Sequence, residues 1–162
     1  MKLKFLILSI VFIFLISCVS AAHKQAKIYQ SNLETMLGKE KGQVDSMIKE
    51  WNFEASDYWD AENPDVDTIN NRSVSGFSED EIQEIFSPKG KYSVWLFIKK
   101  VGTDSASTGV IDEYGKSLTK DTGYTVERFT LIRTVFRDGE FVNYKVFPNV
   151  SSSRLSGVKV IR

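Results

Sequence analysis

The feature that most constrains this fold is its single cysteine, Cys18, which follows an apolar run near the N-terminus. Lys2 and Lys4 precede the run, which extends from Phe5 to Ile16. A charged start, an apolar core of this length and small residues at its end predict a secretory signal peptide that is too short to span a bilayer. Because the chain has no second cysteine, no intramolecular disulfide can form, and stability has to come from the hydrophobic core.

The end of the run, Leu15-Ile16-Ser17-Cys18, resembles the bacterial lipobox, in which the cysteine is lipidated and becomes the first mature residue. On this interpretation residues 1–17 are the signal peptide, and acyl chains such as palmitate on Cys18 hold the protein at a membrane. Val19 stands where Asp usually retains Gram-negative lipoproteins in the inner membrane, so the resemblance implies a lipid anchor in the bacterial outer membrane. The alternative is cleavage after Ala22, which would give a soluble periplasmic or secreted protein.

Composition favours one neutral, well-packed domain. Removal of residues 1–17 from the 162-residue chain leaves enough residues for a single core. Loss of Lys2 and Lys4 leaves a formal charge of about −2, which gives no electrostatic reason to expect nucleic acid. Eleven Phe and three Trp predict a dense core. Asn-X-Ser patterns at Asn71 and Asn149 leave a eukaryotic secreted protein as a further alternative.

Two helices are predicted at the start of the domain, which we place at residues 28–162. We predict a tether at residues 18–27, which consist of the lipidated cysteine followed by small or polar residues. Apolar residues then recur at helical spacing from Ile28 to Leu37. A second apolar stripe predicts another helix from Gln43 to Trp51. A short turn joins the two predicted helices.

A loop and a third helix are predicted next. Residues 52–76 lack periodicity and contain the acidic stretch 57–67, so we expect a surface loop there. Ser78 and Glu81 form a capping-box pattern that begins a short helix, and Pro88 ends it.

The remainder of the chain predicts an antiparallel sheet. Aromatic and branched residues dominate Tyr92–Val101, Tyr124–Phe136 and Phe141–Phe147, and Asp138-Gly139 is a two-residue hairpin turn. The segment 102–123 predicts a mobile excursion or a weak extra hairpin, and Val158 to Ile161 could add an edge strand. The expected fold is α+β, with two N-terminal helices and a short third helix packed on a three- to four-stranded antiparallel sheet.

The two-residue turn predicts a register that pairs Phe136 with Phe141, Val135 with Val142 and Leu131 with Val146. One face then carries the core residues that the helices should cover: Phe129, Leu131, Val135, Val142, Tyr144 and Val146. The opposite face is aromatic and could anchor a protein partner through Trp95, Phe97, Phe136, Phe141 and Phe147. Large aromatic residues are mostly buried, so we favour cover of that face by residues 52–77, the third helix or the tail, and partner docking is the alternative.

Several segments taken in order resemble one family. They are Leu37-Gly38-Lys39, then Val44, Ile48 and Trp51, then Val94-Trp95-Leu96-Phe97, and the hairpin around Asp138-Gly139. Together they are similar to the SmpA/OmlA (BamE-like) family of small outer-membrane lipoproteins, over roughly residues 28–147. The resemblance implies two helices on a three-stranded antiparallel sheet and an accessory or scaffold role in an envelope protein assembly.

Residues with catalytic chemistry are sparse. His23, the single histidine, lies in the predicted tether, and no Ser-His-Asp, Cys-His or Gly-rich phosphate pattern is present. We therefore expect a non-catalytic protein without a cofactor. The acidic stretch 57–67 offers oxygen ligands, but Pro64 stands where an EF-hand loop needs a ligand, and no metal site is predicted.

Overall fold

The computed structural model describes residues 21–65, 69, 77–106 and 124–152 of the chain. Three helices lie in these ranges: α1 at residues 21–34, α2 at Lys41–Glu50 and α3 at Glu79–Phe86. Four strands lie there as well: β1 at Glu54–Glu62, β2 at Lys91–Ala106, β3 at Tyr124–Arg137 and β4 at Glu140–Ser151. The strands form one antiparallel sheet in the order β1-β2-β3-β4, so the fold is α+β.

Helix α1 includes residues that the sequence predicts as tether. Residues 21–27 are helical, and Ala26 is only 5% exposed. Ala26, Tyr29 and Leu33 follow one another at helical spacing and pack into the core, so the apolar stripe begins earlier than the larger side chains indicate. The prediction of a tether through residue 27 is therefore wrong for residues 21–27.

The turn between α1 and α2 is bonded to the last hairpin. The Gly38 N–H donates to the Phe141 carbonyl at 2.8 Å, and the Phe141 N–H donates to the Lys39 carbonyl at 2.8 Å. The Lys41 N–H donates to the Gly139 carbonyl at 3.0 Å. Gly38 has a φ of +77°, a conformation that glycine adopts without strain. This junction fixes both helices on the side of the sheet that carries Phe141.

The predicted third helix is confirmed. The Ser78 hydroxyl accepts a hydrogen bond from the Glu81 N–H at 3.2 Å, and the Glu81 carboxylate accepts one from the Ser78 N–H at 2.7 Å. The helix ends at Phe86, two residues before Pro88. The Tyr92 hydroxyl donates to the Pro88 carbonyl at 2.6 Å and so joins the end of α3 to β2.

The prediction of a surface loop over 52–76 is wrong for Glu54–Glu62, which form β1. The strand contains four acidic residues and no β-branched residue, so its sequence has low strand propensity. A bulge between Ala55 and Asp57 also interrupts its alternation. Pairing with β2 and burial of Trp59 stabilise the strand despite its composition.

The predicted register of the β3–β4 hairpin is confirmed at its turn and wrong beyond it. Phe136 pairs with Phe141, but Val135 pairs with Asn143 because a bulge adds one residue to β4. Leu131 consequently pairs with Phe147 rather than Val146. A shift of one residue exchanges the faces of all later side chains in the strand.

The helices cover the aromatic face of the sheet, which we call the helix face. Its buried or half-buried members are Trp95, Phe97, Ile132, Phe136, Phe141, Tyr144 and Val146, which pack with α1 and α2. The prediction that the helices cover the other face is therefore wrong. Both faces of the sheet are apolar, so the alternation of side chains does not indicate which face the helices cover. The hydrogen bonds between the α1–α2 turn and β4 determine that the helices lie on the aromatic face.

The opposite face carries two further apolar clusters. The first contains Ile85 and Phe86 of α3 and Phe77, which precedes that helix. They pack on Trp59, Ile69, Tyr92, Val94 and Val135. The second contains Leu96, Ile98 and Leu131, with half-buried Phe129, Phe147 and Val150. Both faces of the sheet therefore contribute to the core.

Strand β2 extends to Ala106, so residues 102–106 belong to the sheet. The predictions for 107–123 and for Val158 to Ile161 fall outside the described residues. Within the described ranges, no helix has the length and apolar character needed to cross a membrane.

Candidate docking surface

The five predicted partner-binding residues do not share one surface. Phe97, Phe136 and Phe141 are at most 1% exposed, because α1 and α2 cover them. Phe147 lies on the opposite face, because the bulge in β4 reverses its side. Trp95 alone lies half-buried at the border of the helix face. Intramolecular cover of the aromatic face is therefore present, but it comes from the two N-terminal helices and not from residues 52–77, the third helix or the tail.

An aromatic stack lies at this border, next to α2. The Tyr58 and Trp95 rings are 4.7 Å apart between centroids and nearly parallel, at 14°. The Lys41 ammonium lies 4.0 Å from the centroid of the Trp95 ring, a cation–π contact. Tyr58 is 52% exposed, the largest exposed aromatic fraction among the described residues. We call Tyr58, Trp95 and Lys41, with the ion-pair partner Asp45, the aromatic margin.

Polar atoms beneath the margin are incompletely bonded. Lys41 pairs with Asp45 one helical turn away, which directs its ammonium towards the Trp95 ring. Three buried side-chain atoms have no hydrogen-bond partner in the described part of the chain: Asp45 Oδ1, Trp95 Nε1 and Thr134 Oγ1. Thr134 is the cross-strand neighbour of Trp95, so two of these atoms lie on adjacent residues. The exposed Tyr58 ring thus lies beside buried polar atoms that have no hydrogen-bond partner among the described residues.

The outer strand beside the margin is acidic. Glu54, Asp57, Asp60 and Glu62 are exposed along β1. The ion pairs of the described residues involve none of these four carboxylates. Asp57 lies in the same sheet row as Arg133, and the Asp57 charge partly offsets the burial that lowers the pKa of that guanidinium. The edge next to Tyr58 consequently presents negative charge.

A second polar site joins α1 to β4. The Tyr144 hydroxyl donates to the Glu34 carboxylate at 2.7 Å. Burial, followed by this hydrogen bond and the Glu34 charge, raises the pKa of Tyr144 to about 12. Nearby, Lys145 contacts the Glu81 carboxylate at 2.5 Å, and this bond lowers the pKa of Glu81. These pairs hold α1 and α3 against β4 from opposite faces.

Two cavities lie away from the margin. One, of about 610 Å³, lies beside α3 and is lined by Pro64, Ile69, Ile82 and Phe86 among others. The other, of about 660 Å³, lies between the start of α1 and the sheet and is lined by Ala21, Ala22, Val101 and Arg128 among others. No group of three His, Cys, Asp or Glu side chains in the described ranges could hold a metal ion.

Sequence reasoning identified Trp95 but missed its partners. Tyr58 lies in a stretch of low strand propensity, so its position in the sheet beside Trp95 could not be predicted. Lys41 and Asp45 stand four residues apart, which is the spacing of a helical ion pair, and that signal was available.

The fold and this surface define a small α+β protein with an exposed aromatic and charged patch at one sheet margin. No family model, curated protein or solved structure matches the chain.

Proposed function

We propose that this protein is a non-catalytic lipoprotein that is anchored to the outer membrane through Cys18 and serves as a scaffold or accessory subunit of an envelope protein assembly. The role in an assembly follows the resemblance to the SmpA/OmlA (BamE-like) family. The observation that carries the proposal is the lipobox-like cysteine, Cys18, three positions before the first described residue of α1. A partner protein would contact the aromatic margin.

The short sequence distance between Cys18 and the described part of α1 supports a defined orientation. Residue 21, already helical, follows Cys18 by three positions, so at most about 11 Å of chain separates them. The start of α1 shares a cavity with Val101, Gly102 and Asn149. Lipid on Cys18 would therefore hold this end of the sheet close to the membrane.

The aromatic margin lies towards the other end of the domain. Trp95 precedes Gly102 by seven residues along β2, which is about 20 Å of strand. Lys41 lies beside the hairpin turn at Gly139. An anchored protein would thus carry its docking surface away from the lipid, where a neighbouring envelope protein could reach it.

The anchor is tested by Cys18→Ser, followed by membrane fractionation and intact-mass measurement. We expect the variant to leave the membrane fraction, and we expect the wild-type mass to show acyl chains on Cys18. Ala22→Gln is the matched control, since it impairs only the alternative cleavage and should change neither result. An unmodified wild-type chain that begins at His23 would refute the anchor and support the soluble periplasmic or secreted alternative.

The docking surface is tested by site-specific photo-crosslinking in cells. A photoreactive residue at Tyr58 should give one defined protein adduct. Ile28 on α1 is the matched control, because it is 51% exposed, almost the same as Tyr58. Equal adducts at both positions, or none at Tyr58, would contradict docking at the aromatic margin.

A further inference from the structure

Among the described strands, β1 is an edge of the sheet that pairs only with β2. The Asn63 N–H donates to the Gly90 carbonyl at 2.9 Å, which continues the β1–β2 ladder one residue beyond Glu62. Main-chain groups alternate in direction along an antiparallel strand, so those of Tyr58, Asp60 and Glu62 point away from β2. No described residue provides a main-chain partner for these groups.

The other edge of the sheet is already protected. The Phe141 main chain is paired with Gly38 and Lys39. The Tyr144 N–H donates to the side chain of Asn143 at 2.6 Å, and Pro148 has no N–H to offer. Two bulges also interrupt β4. Such features block pairing with another strand, and β1 has a single bulge, at its beginning.

Charge selects what can pair with β1. Asp60 and Glu62 share the side of Tyr58, and neither forms an ion pair within the described ranges. Two β1 edges brought together would place carboxylates opposite carboxylates, which disfavours a second copy of this chain. A strand with cations at alternate positions would instead place them beside Asp60 and Glu62.

We propose that β1 binds an extended segment of the partner protein that carries Lys or Arg at alternate positions, and that this segment adds a fifth strand to the sheet. The inference rests on the proposed function, because it names the chemistry of the docked partner. Up to six main-chain hydrogen bonds, from three N–H and three carbonyl groups, supply the binding, and the exposed Tyr58 ring flanks the new strand.

The test uses the whole chain in an uncharged detergent and a capped seven-residue peptide, Thr-Lys-Val-Lys-Val-Lys-Thr. Amide hydrogen exchange measured by NMR should slow at Tyr58, Asp60 and Glu62 when this peptide binds. The same peptide with Glu in place of Lys should not bind. Affinity for the Lys peptide should fall as salt is raised. The double change Asp60→Asn with Glu62→Gln should weaken binding about threefold to thirtyfold.

A proline variant separates strand pairing from simple charge attraction. Asp60→Pro removes an N–H that points away from β2, so the β1–β2 ladder stays intact while peptide binding is lost. Asp60→Asn is its control, since it removes the same charge but keeps the N–H.

The proposal would be overturned if the Lys peptide bound Asp60→Pro as tightly as Asp60→Asn, or if the Glu peptide bound as tightly as the Lys peptide. It would also be overturned if the Lys peptide slowed amide exchange at β4 instead of β1. Slower exchange at β1 on raising the protein concentration without peptide would indicate a second copy of this chain and would likewise overturn it. The membrane fractionation of Cys18→Ser and the crosslinks at Tyr58 do not depend on this peptide. A negative peptide result would therefore leave the proposed function standing.

Discussion

Replacement of Phe141 by Ala tests whether the aromatic face belongs to the core or to a partner. Phe141 is fully buried, and its ring centroid lies 5.4 Å from that of Phe136 and 6.0 Å from that of Tyr144. Loss of a buried aromatic side chain lowers the free energy of unfolding by about 3–5 kcal/mol. A domain of this size is stable by about 5–15 kcal/mol, so Phe141→Ala should remove at least about a fifth of the total.

Tyr58→Ala is the matched control, because it also removes an aromatic ring. Tyr58 is half exposed and stacks on Trp95, so its loss should lower the unfolding free energy by only about 1 kcal/mol. Urea unfolding followed by tryptophan fluorescence measures both values on the whole chain. A loss below about 1 kcal/mol for Phe141→Ala, or an equal loss for the two variants, would refute the assignment of Phe141 to the core.

Three further changes test local parts of the structure. Thr134→Val should leave the unfolding free energy unchanged or raise it, because the buried hydroxyl has no partner among the described residues; a loss above about 1 kcal/mol in urea would contradict this. Gly38→Ala should cost about 1–2 kcal/mol because of its positive φ, whereas Gly42→Ala in α2 should be neutral or stabilising in the same assay. The raised pKa of Tyr144 means that the folded state holds this proton more tightly than the unfolded state, so stability should fall as pH rises from about 10 to about 12. Tyr144→Phe should remove that part of the decline, and unfolding curves at the two pH values measure it.

Local sequence signals predicted most of the elements but not their arrangement. The capping box at Ser78, the apolar stripe of α2 and the turn at Asp138 each depend on residues close together in the chain, and the structure contains all three. Strand β1 is not predictable from its own sequence because its stability comes from pairing with β2, between Glu62↔Lys91 and Glu54↔Ile98. The bulge at Val142, between Phe141 and Asn143, is not predictable because no short pattern marks the extra residue.

The same distinction explains the candidate site. Trp95 is recognisable from sequence as a large aromatic residue in a strand, but its half-buried position depends on where α2 stops covering the helix face. That position follows from the bonds of Gly38 and Lys39 to Phe141, which hold the helices over β3 and β4. Because the helices are shifted towards β4, the β1 side of the sheet keeps less cover, and Tyr58 remains exposed there. The contact that buries one aromatic cluster thus leaves the other end of the same face less covered, which is where we propose that a partner docks.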